Sequence, residues 1–89
     1  MLEQNLIISN KLGLHARAAA KLVKIALRYR SDITITTKNK TVQAKDIMEI
    51  LLLEASKGTE ITLIVSGPDE KDAMEDLAAL INNKFDEEE

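Results

Sequence analysis

The chain has no cysteine and no tryptophan, a single histidine, a single proline, three glycines and two aromatic residues, Tyr29 and Phe85. Each shortage excludes something. Without cysteine there is no disulfide framework, no thiolate nucleophile and no zinc–cysteine site. A small domain that folds without such staples fits a reducing compartment. With so few rings, the core has to be built from Ile, Leu, Val, Ala and Met, and nucleobases find no stacking platform. There is no basic excess either, since 12 Lys and Arg stand against 15 Asp and Glu for a net charge of −3. Nucleic acid is therefore not an expected partner. No apolar run is long enough to span a bilayer and no basic-then-apolar leader opens the sequence, so the expected setting is the cytoplasm, with no membrane partner.

What is present is an ordinary globular composition, 45% hydrophobic over 89 residues, the size of one domain. The expected organisation is one domain over 1–89, with residues from about 86 to 89 forming a solvated, frayed acidic tail. A monomer is the expected state.

Leu2 to Ile8 reads as a first strand leading into the polar turn Ser9-Asn10-Lys11. A first helix is predicted from about Ala16 to Tyr29, with Ala19, Leu22, Val23 and Ala26 at helical spacing toward the core. Asp32 to Thr37 alternates apolar and polar with the period of a half-buried strand. Across Lys38-Asn39-Lys40, the segment Thr41 to Ala44 returns as its hairpin partner. Asp46 is placed to cap a short helix carrying Ile47, Met48, Ile50, Leu51 and Leu52, with Lys57-Gly58 closing it. Glu60 to Ser66 is the most apolar strand and the one expected at the centre of the sheet. Gly67-Pro68-Asp69-Glu70 opens a last helix that buries Ala73, Met74, Leu77, Ala78 and Ile81, with Phe85 packing back. The order is β-α-β-β-α-β-α. It predicts an α+β fold with a mainly antiparallel four-stranded sheet and three helices on one face.

The histidine, His15, lies in the run Asn10-Lys11-Leu12-Gly13-Leu14-His15-Ala16-Arg17-Ala18. A glycine frees the backbone just before it, and an alanine-rich helix starts just after it. A helix start offers unpaired N–H groups and the positive end of the dipole, which together suit an anion. A histidine near a helix start is often only structural. This one follows a flexible glycine, is not needed by the apolar stripe and has no carboxylate neighbour in sequence. A neutral imidazole there is a competent nucleophile, and a phosphoryl group on it would meet helix N–H donors and the Arg17 guanidinium. One histidine with no cysteine and scattered acids gives no metal-ligand set. No serine or acid is spaced to complete a hydrolytic triad, and no glycine-rich nucleotide loop is present, so no cofactor is expected.

The second feature is the short helix Ile47-Met48-Glu49-Ile50-Leu51-Leu52-Leu53. Its apolar residues cover more than one face. That pattern fits a helix largely buried in a small core. It fits equally an exposed patch of Ile47, Met48 and Leu51 for docking partners, rimmed by basic residues such as Lys45.

These runs resemble the signatures of a known family. Asn10 to Arg17 looks like the active-site signature of HPr, the histidine-containing phosphocarrier of the bacterial phosphoenolpyruvate-dependent phosphotransferase system. Lys45-Asp46-Ile47-Met48 with Lys57-Gly58-Thr59-Glu60-Ile61 looks like its second signature. The resemblance covers essentially the whole chain and implies that family's open-faced β-sandwich. It implies a carrier that is itself phosphorylated and dephosphorylated, rather than an enzyme turning over a small molecule. His15 would accept a phosphoryl group on Nδ1 from the phosphorylated first enzyme of the system (enzyme I type) and pass it to a IIA-type protein. Arg17 would assist, the backbone amides of Ala16 and Arg17 would hold the phosphoryl oxygens, and Ala20, Lys24, Ile47, Met48 and Leu51 would dock both partners.

The departures from the pattern matter. Ala18 stands where many members carry proline, which keeps helix propensity and loses only a fixed φ. Asp46 stands where many members carry a regulatory serine; with no hydroxyl, that phosphorylation is not expected. Its charge reads either as an ordinary N-cap or as a mimic of a phosphorylated serine. Glu49 and Glu54 stand where glycine is common. These differences keep two branches open, sugar uptake and a nitrogen-related regulatory relay. The reading from another class is a non-catalytic regulatory module that docks partners through Ile47, Met48 and Leu51 and does not need His15.

Overall fold

Alternation along Ile33-Thr34-Ile35-Thr36 and Ile61-Thr62-Leu63-Ile64-Val65 puts one residue in two into the interior, and this sets the architecture. Ile33, Ile35, Ile61, Leu63 and Val65 are buried, while Thr34, Thr36, Thr62 and Ile64 are half-buried on the other face. A computed structural model of the chain describes residues 1–87. Its elements are β1 (Leu2–Ile7), α1 (Ala16–Ala26), β2 (Asp32–Thr36), β3 (Thr41–Gln43), α2 (Ile47–Leu52), β4 (Glu60–Ser66) and α3 (Glu70–Asn82), followed by a short turn over Lys84–Asp86. The four strands form one sheet in the order β1-β4-β2-β3, every pair antiparallel. β4 lies inside the sheet, as its apolar character predicts. The three helices pack on one face, giving the open-faced sandwich.

The helices bury the expected stripes with small shifts. On α1, Ala18, Ala19, Leu22 and Ala26 are buried and Val23 is partly so. On α3, Leu80 joins Ala73, Met74, Leu77, Ala78 and Ile81 inside. Phe85 is fully buried, which stabilises the C-terminal end by about 1.5–3 kcal/mol.

Two helix ends differ from the sequence expectation. α1 stops at Ala26 rather than at Tyr29. Arg28 N–H closes onto Ile25 O at 3.0 Å and Tyr29 N–H onto Ala26 O at 3.2 Å, so the chain tightens into a shorter-range turn. Competing partners hold it there. Lys45 Nζ donates to Tyr29 O at 2.8 Å, and the Asp69 carboxylate accepts from Arg30 N–H and from Ser31 N–H and hydroxyl. Those bonds, with Ser31 first, hold the Asp69 carboxyl below its ordinary value. The Tyr29 hydroxyl donates to Asp76 of α3, which pushes its own ionisation up to about 12.

α2 also ends early, at Leu52, with Glu54 in the left-handed region (φ 51°) rather than Gly58 at its C-terminus. Gly58, at φ 91°, makes a different turn: its N–H donates to Ile8 O at 2.7 Å while Ile8 N–H donates to Thr59 O at 2.9 Å. The glycine thus serves the β1–β4 connection and leaves the helix end to a residue with a Cβ.

The expected frayed tail is only partly described. Asp86 belongs to the short turn and accepts from Asn83 Nδ2, and Glu87 folds back onto the N-terminal half of the chain instead of pointing into solvent. Glu88 and Glu89 lie outside the described residues.

Candidate functional site

The loop from Asn10 to His15 is built so that one side chain emerges at the start of α1. Gly13 adopts φ 68°, and a Cβ there would stand 2.4 Å from Ala55 O and 2.8 Å from Ser56 Cα. Only glycine meets both conditions. Leu14 plugs the interior and donates its N–H to Ala55 O at 2.8 Å. The loop before α1 is thereby stapled to the loop after α2.

Asn10 is fully buried beneath this loop. Its Nδ2 donates to Gly13 O at 2.8 Å and to Glu87 Oε1 at 2.8 Å. Two acceptors fix the amide orientation, at the cost of leaving Oδ1 without a partner among the described residues.

His15 is the N-cap of α1, with extended backbone (φ −79°, ψ 179°). Its carbonyl accepts from Ala19 N–H at 2.9 Å and its Nδ1 accepts from Arg17 N–H at 3.3 Å. The other ring nitrogen, Nε2, lies 2.5 Å from Glu87 Oε2, and the imidazole is 23% exposed. These partners fit one placement of the proton. An Nδ1 that accepts an N–H carries a lone pair, and an Nε2 against a carboxylate carries the hydrogen. Glu87 in turn is held below the ordinary carboxyl value, first by the Asn10 amide, then by His15, with the Arg17 charge adding to the effect.

Among the expected site residues, the fold brings Ala16 and Arg17 next to His15 in the first turn of α1. Both are exposed, as are Ala20 and Lys24 further along the same helix. No acidic residue occupies that first turn, so nothing in α1 itself neutralises its positive end. α2, which packs on α1, is not largely buried: of its own residues only Ile50 is fully inside. Met48 and Leu52 are 66% and 59% exposed, Ile47 is also exposed, and Leu51 is half-buried against the core. Asp46 caps α2, its Oδ1 accepting from Met48 N–H at 3.0 Å and Glu49 N–H at 3.3 Å. Glu49, one of the departures from the resembled pattern, accepts from Gln43 N–H at 3.0 Å and ties α2 to β3.

Sequence reasoning missed two residues. Asn10 stood in the signature run as a turn residue, and a buried asparagine before a glycine is a usable signal for a loop-organising amide. Glu87 gave no signal, being 72 positions from His15 in a run of like charges.

Among the described residues there is no cluster of three or more His, Cys, Asp or Glu side chains that could hold a metal, and no helix long and apolar enough to cross a membrane.

Residues 2–83 match the family described as PTS HPr component phosphorylation site. The chain is 50% identical over 88 residues to the phosphocarrier protein HPr of Xylella fastidiosa, covering 99% of each. It is 43% identical over 86 residues to the phosphocarrier protein NPr of Shewanella violacea, covering 97% of this chain and 94% of that one. In structure it is similar to HPr-C-His from Thermoanaerobacter tengcongensis, with a TM-score of 0.96, 44% identity and full coverage of both chains.

Proposed function

The chain belongs to the HPr family of phosphotransferase-system phosphocarriers, and on that premise we propose that it carries a phosphoryl group on Nδ1 of His15. The donor in this reading is the phosphorylated first enzyme of the system and the acceptor a IIA-type protein. It works as a single cytoplasmic domain, monomeric, with no cofactor or metal. The observation that carries the reading is the lone pair of Nδ1 at the start of α1, with only the Arg17 N–H against it. When Nδ1 bonds to phosphorus it no longer accepts, and the Arg17 N–H turns to a phosphoryl oxygen. The Ala16 amide and the positive end of α1 add to its hold. The exposed Arg17 guanidinium supplies the mobile counter-charge. The ring must hold the phosphoramidate without hydrolysing it, which suits a site with no acid–base pair aimed at Nδ1.

Ala20 and Lys24 of α1 with Ile47, Met48 and Leu51 of α2 form the docking face, to which Leu52 adds exposed apolar surface. Relatives named HPr and one named NPr both match this chain, and the reading takes in both branches, sugar uptake and a nitrogen-related relay. The IIA-type protein that takes the phosphoryl group separates the two. Asp46, bonded to two backbone amides of α2, acts as an ordinary N-cap, and control through a second phosphorylation at that position is absent. The exposed apolar face of α2 also fits a regulatory module that binds a partner without phosphoryl transfer.

The test is incubation with phosphoenolpyruvate and the first enzyme of the same organism, followed by mass and acid lability. One acid-labile phosphoryl group, absent in His15→Ala, is the expected outcome, with slower transfer and an intact fold in Arg17→Ala. No gain with the cognate enzyme would overturn the carrier reading. Partner binding that survives His15→Ala while no phosphoryl group is ever gained would favour the regulatory module.

A further inference from the structure

We propose that Glu87 is a positioning residue for His15: its carboxylate holds the ring proton on Nε2, leaves Nδ1 as the nucleophile, and faces the charge the ring gains on phosphorylation. This rests on the carrier reading above and adds a residue to it. Glu87 lies beyond residues 2–83, the stretch that matches the family, so the match assigns it nothing.

The contact is built from several independent elements. Phe85 is fully buried and anchors the turn. Lys21 Nζ of α1 donates to Phe85 O at 2.8 Å, clamping the backbone two residues before the carboxylate. Asn10 then takes Oε1 at 2.8 Å, which leaves Oε2 turned to His15 Nε2 at 2.5 Å. Lys84, Phe85 and Asp86 all sit in the left-handed region, at φ 56°, 55° and 63°. Three successive residues with Cβ atoms are disfavoured there. Burial of Phe85 and the Lys21, Asn10 and His15 contacts offset this, and the turn delivers one carboxylate to one ring nitrogen. The depressed ionisation of Glu87 means that it presents a charged acceptor at neutral pH.

The chemistry follows from the proton. Of the two neutral tautomers of imidazole, a carboxylate at Nε2 selects the one with hydrogen there, so the lone pair is at Nδ1. That lone pair forms the new N–P bond as the donor's own bond to phosphorus breaks and its electron pair stays on the donor nitrogen. No proton has to move. The ring keeps its Nε2–H and becomes cationic, and the carboxylate beside it neutralises that charge through a charge-assisted hydrogen bond. Onward transfer runs the same steps in reverse.

The test uses the full chain with Glu87→Ala and Glu87→Gln. Glutamine has one oxygen to serve both Asn10 and His15, so it weakens the hold on the ring without emptying the space. Ring nitrogen chemical shifts of His15, read by ¹⁵N NMR on the unphosphorylated protein, report the tautomer. The rate of phosphoryl uptake from the first enzyme reports the chemistry. We expect the Nε2–H tautomer to dominate in the native chain and to lose ground to the other form in both variants. Uptake is expected to slow by roughly ten-fold in both, the effect of losing one charge-assisted hydrogen bond. Unchanged tautomer populations would overturn the proposal, and so would a shifted tautomer with an unchanged rate. If the native chain took up no phosphoryl group, the carrier reading would fail, while the tautomer measurement would still decide whether Glu87 governs the ring.

Discussion

α1 and α2 start in the same way and are used in opposite ways. Each begins after an extended residue whose side chain accepts from the first turn. At α2 that residue is Asp46, an anion bonded to two backbone amides, with Glu49 adding negative charge in the first turn. At α1 it is His15, a ring that receives one long bond of 3.3 Å, with no acid in the turn that follows. The α2 start is saturated by its own cap. The α1 start keeps donors and a positive dipole end available, and among the described residues the only carboxylate bonded to its cap comes from Glu87, 72 positions along the chain. A capped terminus stabilises a helix; an under-capped one can accept an arriving anion.

Exchanging the caps breaks the contrast most completely. In His15→Asp, phosphoryl uptake should vanish while the fold persists. The better cap gains up to about 1 kcal/mol, and repulsion from Glu87 removes some of it. Mass after incubation with the first enzyme and a thermal melt read the two halves; residual uptake would place the acceptor elsewhere. Next in size is Gly13→Ala. A Cβ 2.4 Å from Ala55 O, on a backbone at φ 68°, forces the loops before α1 and after α2 apart. The expected loss is about 2–3 kcal/mol in denaturant unfolding, with slower uptake in the folded fraction. Asp46→Ala should cost about 1 kcal/mol as a lost N-cap and leave the uptake rate where it was. A fall in uptake beyond what the stability change explains would mean that the two helix starts are coupled.

The contrast was half legible from sequence. Asp before an apolar run and an alanine-rich stretch after Gly-Leu-His declare both helix starts, and the strand alternation orders the sheet around β4. What escaped was what depends on contacts distant along the chain. The α1 pattern runs on to Tyr29, yet Lys45 and Asp69 claim the backbone from Tyr29 to Ser31 and end the helix three residues sooner. Gly58 has the composition of a helix stop but is spent on the β1–β4 connection, and Glu54 takes the left-handed position instead. Glu87 was hidden because its place depends on a buried Phe85 and on a left-handed turn with no glycine to mark it. Local rules read a stretch of acids at a chain end as solvated, and here one of them is the partner of the ring.

That borrowed anion gives the smallest and most specific prediction. The anion at α2 belongs to the cap itself, whereas the one at α1 is held by a three-residue turn and can be released without unfolding the helix. The groups that face it are the His15 ring, through Nε2, and the Arg17 charge, with the Asn10 amide as its third partner. All three favour the carboxylate form, so the folded-state value of Glu87 lies below the ordinary glutamate value of about 4.3. Docking of the turn is then complete above that ordinary value and is lost as pH falls through the lower folded value. The Asn10 side-chain amide reports it directly, since one of its two bonds goes to Glu87. In an acid titration followed by NMR, the Asn10 amide signals should move before global unfolding, and the step should disappear in Glu87→Gln. Signals that hold still until the whole chain unfolds would mean that the anion at α1 is as fixed as the one at α2, and the contrast between the two helix starts would shrink to the identity of the cap.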